Sequence, residues 1–267
     1  MSSPRRSLSS RAFTTLAAAL ALSGAIGLGG AAAHGATPAG PGSPAAGGLT
    51  ATAGGGPRVV PLPPPRAFAR HVTNAYFPLR PGTVWVYRGY GSEAGQREVV
   101  RVLHRTRRIE GIRATVVVDR ATEDGRLIEL THDWYAQDHR GRVWYLGEAT
   151  TSYDGGETST KGSWRAGVDG ARPGVVMFRR GNLNRTYWQE YLAGEAEDQG
   201  TLLTRRARAV VPAGRFARVR LTKDTTPLEP RVMELKFYAR GVGLVLELGT
   251  SPELGRVELV RVIRPAR

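Results

Sequence analysis

From Thr83 onward, apolar and polar positions alternate with a period of two. In Thr83-Val84-Trp85-Val86-Tyr87 the two aromatic rings fall on one face and the valines on the other. Leu127, Glu129, Thr131 and Asp133 share one face of a later run, and Ile128, Leu130, His132 and Trp134 share its opposite face. Met233, Leu235, Phe237 and Ala239 alternate in the same way with Val232, Glu234, Lys236 and Tyr238, and Val257, Leu259 and Arg261 with Glu258, Val260 and Val262. The stretch Thr115-Val116-Val117-Val118 is β-branched, which suits a pleated strand and crowds a helix. Turn residues separate the runs: Glu123-Asp124-Gly125, Asp138-His139-Arg140-Gly141, Asp154-Gly155-Gly156, Ala213-Gly214 and Leu254-Gly255. Short runs joined by tight turns are the mark of consecutive antiparallel hairpins rather than βαβ units. No window after residue 75 carries a helical stripe, and only Arg66 to Thr73 is read as a short helix.

The predicted fold is therefore mainly β. A single antiparallel sheet of this many strands curls or closes, so one large, strongly curved sheet is expected, as a half-barrel or barrel. A two-sheet sandwich is the alternative.

The first 66 residues follow a different rule. Arg5, Arg6 and Arg11 precede an uncharged apolar stretch from Ala12 to Leu28, and Ala31-Ala32-Ala33 supplies a small-residue cleavage site. This is the form of a secretory signal peptide over residues 1–33. Arg5-Arg6-Ser7-Leu8 partly matches a twin-arginine signal. Residues 34–66 are Ala, Gly, Pro, Ser and Thr for the most part and end in Pro61-Leu62-Pro63-Pro64-Pro65, which predicts a flexible tether stiffening toward polyproline II. Residues 67–267 then form one antiparallel β domain, exported to the periplasm, cell surface or medium.

Composition narrows the chemistry. The 267 residues contain no Cys, which removes disulfides, thiolate nucleophiles, Cys-ligated metals and an N-terminal lipidated Cys, so the chain is not expected to be a lipoprotein. The net charge is +15. Only Lys161, Lys223 and Lys236 among the 38 basic residues are lysines. Residues 131–200 hold 8 basic and 10 acidic groups, against 13 and 7 in 58–130 and 14 and 6 in 201–267, so an acidic middle lies between basic flanks. An Arg-rich exterior attracts anionic envelope polymers or a membrane surface by forces that salt screens. Nucleic acid is the least favoured such partner, because the Lys/Arg mixture and one-sided clustering of nucleic-acid binders are missing.

Catalytic signatures are absent. The chain has no Gly-x-Ser-x-Gly elbow, His-Glu-x-x-His, P-loop or dinucleotide glycine pattern. Its five His are not spaced as paired metal ligands, and no cofactor, metal or catalytic residue is assigned. The candidate ligand contacts lie in the acidic middle: Trp134, Tyr135, Trp144 and Trp164 as aromatic platforms, with Glu148, Asp169, Glu190, Tyr191 and Glu197 beside them. The same residues also fit a structural role, with rings in the core and acids paired to arginines in turns.

Several segments resemble an uncharacterised family of exported bacterial β-rich proteins with no established activity. They are Tyr76-Phe77-Pro78-Leu79-Arg80-Pro81-Gly82-Thr83-Val84-Trp85-Val86-Tyr87, Asp133-Trp134-Tyr135-Ala136-Gln137-Asp138 with Val143-Trp144-Tyr145-Leu146-Gly147-Glu148, Gly162 to Ala171, Tyr187-Trp188-Gln189-Glu190-Tyr191 with Gly194-Glu195-Ala196-Glu197-Asp198, Thr226 to Pro230 and Tyr238 to Val245. The first of these is also similar to envelope proteins with a curved, lipid-cradling sheet. Phe178-Arg179-Arg180-Gly181-Asn182-Leu183-Asn184 departs from the small, Pro-containing loop that the resemblance implies.

Three functions fit these observations. The first is a non-catalytic binding module whose aromatic concave face takes a small apolar or amphipathic cell-envelope ligand. The second is a carbohydrate-active envelope enzyme using two of the carboxylates. The third is a surface protein holding anionic polymers through its arginines.

Overall fold

The computed structural model describes residues 56–251 and 255–266. The signal peptide and the first part of the tether lie outside the described residues. Seventeen strands follow one short 3-10 turn at Pro65–Ala67. In chain order they are β1 (Val72–Asn74), β2 (Phe77–Leu79), β3 (Val84–Gly91), β4 (Gln96–Ile109), β5 (Ile112–Glu123), β6 (Arg126–Gln137), β7 (Val143–Asp154), β8 (Glu157–Ser159), β9 (Trp164–Arg165), β10 (Arg172–Met177), β11 (Thr186–Trp188), β12 (Glu190–Tyr191), β13 (Gln199–Val211), β14 (Gly214–Thr225), β15 (Met233–Ala239), β16 (Gly243–Ser251) and β17 (Gly255–Ile263). β1 and β2 form a separate hairpin. The other 15 strands make one antiparallel sheet in the order β11-β13-β14-β15-β16-β17-β3-β4-β5-β6-β7-β10-β12, with β8 and β9 added beside β7.

The long hairpins form where the sequence places turn chemistry. Glu110 and Gly111, and then Asp124 and Gly125, all take positive φ (49, 72, 49 and 84°), as two-residue type I′ turns require. β3 bonds to β17, which joins the first long strand to the last.

Curvature is shown by Phe77. Its ring centroid lies 5.2 Å from that of Tyr135 on β6 and 6.3 Å from that of Tyr238 on β15. Those strands stand six places apart in the sheet, so the sheet must bend around the β1–β2 hairpin for one ring to touch both. Register shifts at Val102/Thr106, Ala121/Thr122 and Asp133/Tyr135 supply bulges that increase local twist. The ladder does not close into a barrel. β11 and β12 are halves of one segment, separated by Gln189, that pair with opposite ends of the sheet. Gln189 pins this seam: its N–H donates to Asp198 O at 2.8 Å and its Nε2 to an Asp224 carboxylate oxygen at 3.3 Å.

The expected helix at Arg66–Thr73 is replaced by the three-residue 3-10 turn and an extended run. Backbone bonds from Ala69 N–H to Gln137 O (2.7 Å) and from His139 N–H to Ala67 O (2.9 Å), with Thr73 N–H to Gln137 Oε1 (2.8 Å), hold the segment straight along the end of β6. The end of the tether is also seated on the domain. Arg58 N–H donates to Thr186 O at 2.8 Å, and Val60 is buried.

Candidate functional site

The two faces of the curved sheet differ in an unexpected way. On β6, Glu129, Thr131, Asp133 and Tyr135 point into the hollow, while His132 and Trp134 point to the opposite face. The buried polar set facing inward also includes Glu98, Asp119, Glu148, Glu190, Asp224, Glu234 and Glu247, with Lys236 as the buried cation among them. Lys236 Nζ lies 3.2 Å from Glu234, 3.5 Å from Asp224 and 3.8 Å from Glu247. Their attraction holds the ammonium pKa well above its ordinary value against the opposing effect of burial.

Away from Lys236, three of the acids have hydroxyl partners. Thr131 Oγ1 donates to Glu129 at 3.0 Å, Tyr145 OH to Asp133 at 2.7 Å and Thr150 Oγ1 to Glu148 at 3.2 Å. Removal from water is the main cause that raises Asp119 to about 6, Glu129 to about 7 and Asp133 to about 8. Glu98 and Glu190 are pushed well above the usual carboxylate range, first by burial and then by neighbouring Asp119 and Asp198 respectively. The void beneath the β1–β2 hairpin, lined by Phe77, Leu79, Trp85, Tyr87 and Leu244, has a volume of about 30 Å³.

The opposite face carries a cleft of about 360 Å³ lined by Arg105, Thr106, Arg107, Val116, His132, Trp134 and Ala149. Its position follows from the strands. The bulge in β4 between Val102 and Thr106 re-aims Arg105 and Arg107, while Val116 of β5 and Trp134 of β6 are directly paired. Trp134 is only 4% exposed and forms the floor. The Arg107 guanidinium lies over its ring at 4.1 Å, a cation–π contact. Arg105 is exposed. Half-buried His132 has its pKa lowered, first by burial and then by Arg105, so its imidazole is neutral at pH 7. Gly147 permits this packing. It has φ +131°, and a Cβ there would stand 2.4 Å from Trp164 O and 3.2 Å from Trp134 Cε3.

The sequence-derived candidates divide among these environments. Trp134 belongs to the cleft. Tyr135, Trp164, Glu148 and Glu190 gather in the hollow: Tyr135 stacks on Tyr145 with centroids 4.7 Å apart, and Trp164 meets Tyr145 edge-on at 5.3 Å. Trp144 is wholly buried, with Nε1–H donating to Asp138 at 2.9 Å and Phe68 edge-on at 6.3 Å. Tyr191 is half-buried beneath Arg172 at 4.1 Å, Asp169 is exposed in a turn, and Glu197 is half-buried in another turn, accepting from Gly194 N–H at 2.9 Å. Glu148 and Glu190 do approach each other, but at 2% and 0% exposure a sugar chain does not reach them. Among the described residues, no group of three or more His, Asp or Glu side chains is arranged to hold a metal ion. The sequence reading missed Arg105, Arg107 and His132. Arginines two apart on a strand, facing His132 and Trp134 two apart on another, were the available signal.

No family model and no curated protein matches the chain. Two solved structures overlap it loosely. One is a candidate exported protein with a YmcC-like fold from Bacteroides fragilis, with TM-score 0.43 and 13% identity over 72% of this chain and 100% of that one. The other is a candidate lipoprotein from Parabacteroides distasonis, with TM-score 0.40 and 12% identity over 71% and 99%. Overlaps this loose fix neither family nor function.

Proposed function

We propose that the protein is an exported, non-catalytic binding module for an amphipathic cell-envelope molecule bearing an anionic group, and that this ligand sits in the cleft over Trp134. The carrying observation is the cleft of about 360 Å³ on the Arg105/Arg107 side, against about 30 Å³ for the pocket beneath the β1–β2 hairpin. The first value lies within the range of small-molecule sites. Val116, Ala149 and the indole offer apolar contact. The two guanidiniums offer forked donors suited to phosphate or carboxylate, and the Arg107 fork is pre-oriented by the ring beneath it. Neutral His132 adds a hydrogen-bonding group without adding charge. Export rests on the leader sequence, and the absence of Cys leaves no residue to carry an N-terminal lipid.

Native mass spectrometry of the protein gently purified from its own envelope tests this reading. The expected result is a bound anionic amphiphile that is lost from the Arg105→Gln/Arg107→Gln variant. Wild-type protein that is always empty, or a ligand retained by the double variant, would overturn it. A cleft that instead retains wall polymer in a salt-sensitive pull-down would move the ligand from amphiphile to polymer while leaving the site in place.

A further inference from the structure

The loop between β10 and β11, the segment that departs from the resemblance noted above, has a second distinct character. Arg179, Arg180 and Arg185 are exposed, and Leu183 between them is 43% exposed. None of the ion pairs among the described residues engages these arginines. The loop is nevertheless held in shape. Buried Arg220, stacked over Tyr76 at 4.0 Å, donates to Phe178 O at 2.5 Å and to Arg179 O at 2.6 Å. Arg205 donates to Gly181 O, and Asn184 N–H donates to Leu202 O at 2.9 Å. Arg58 pairs with Tyr187 just beyond the loop, and the next residue, Val59, is 59% exposed.

We infer that this loop, with Arg58 and Val59 beside it, is a docking surface for an anionic lipid bilayer. Guanidiniums without internal carboxylate partners are free to meet lipid phosphates, and a stapled loop loses little freedom in doing so. The two aliphatic side chains select a bilayer over a soluble polyanion, because only the bilayer offers an apolar phase at the level of its headgroups. This inference is independent of the cleft, which lies on β4–β7 and shares no residue with the loop.

The test is flotation of the full chain with phosphatidylcholine vesicles, with and without phosphatidylglycerol. The N-terminal leader is common to every variant and cancels in the comparison. Each juxtamembrane basic residue contributes about fivefold in partitioning, so Arg179→Gln/Arg180→Gln/Arg185→Gln should weaken binding to anionic vesicles by about a hundredfold. Binding to neutral vesicles should not change. Leu183→Ser should weaken anionic binding further by a few-fold, and a fluorophore at position 183 should shift to the blue on binding. All four positions are exposed, so melting temperatures should match wild type. Unchanged vesicle binding in the triple variant overturns the inference. So does binding to soluble polyphosphate as tight as to vesicles together with a neutral Leu183→Ser.

Discussion

Raising the pH from about 5 to about 8 should destabilise this protein, opposite to the usual behaviour of salt-bridged carboxylates. Glu129 shows why. It titrates near 4.5 when unfolded and about 7 when folded, because burial penalises its charge more than the Thr131 and Ser152 hydroxyls compensate. A group with a raised folded pKa contributes its stability fully below the unfolded value and loses it as pH rises through the folded value. Glu129 alone therefore withdraws about 3 kcal/mol between those limits. Asp119 and Asp133, at about 6 and about 8, place the rest of the decline in the same window. His132 acts in the opposite direction in acid, but its ring is half exposed and its effect is correspondingly small. Total stability for a domain is on the order of 5–15 kcal/mol, so the loss is large. Urea unfolding at several pH values measures it. With a slope of about 2–3 kcal/mol per molar, the midpoint should fall by about 1 M or more. Glu129→Gln keeps both hydroxyl contacts within reach and removes the titration. It should flatten the decline by about 3 kcal/mol and be more stable than wild type at pH 8. A midpoint that stays level or rises toward pH 8, or a Glu129→Gln variant with the wild-type slope, would refute the reasoning.

Two further substitutions probe the same architecture. Lys236→Met leaves Asp224, Glu234 and Glu247 without their shared cation and should cost about 3–5 kcal/mol at neutral pH, with partial recovery in acid as the carboxyls protonate; equal losses at pH 5 and pH 8 in urea unfolding would contradict it. Gly147→Ala combines a φ of +131° with a Cβ at 2.4 Å from Trp164 O. It should destabilise by more than about 1 kcal/mol, seen as a lowered melting temperature, and should also disturb the Trp134 floor; an unchanged melting curve would argue against the close approach.

The fold was legible because two-residue periodicity is a backbone property. The faces of β6 and the hairpin at Asp124-Gly125 follow directly from it. Which face turns inward was not legible. Glu129, Thr131 and Asp133 form the polar face of β6, and polar faces ordinarily meet water. In this chain they line the hollow, and the same inversion holds for Glu234 and Lys236 on β15. No local signal marks a strand whose polar side is buried. It depends on partners such as Tyr145 and Asp224, 12 residues away in each case. The candidate site was legible in part for a related reason. Trp134 stands out as an aromatic, but the residues that convert it into a cleft, Arg105 and Arg107, arrive through a bulge in β4 that alternation alone does not disclose. Curvature, by contrast, was legible from the number of strands in one sheet, and Phe77 shows it by touching two distant strands.

The most direct test separates the cleft from the hollow within one titration. The five tryptophans should give separate indole N–H signals in two-dimensional NMR, and Trp134→Phe would assign the one in the cleft. Adding a short-chain phosphatidic acid should move the Trp134 signal saturably and leave Trp164 and Trp144 in place. Movement of Trp164 with Trp134 unmoved would put the ligand among the buried carboxyls and contradict the account.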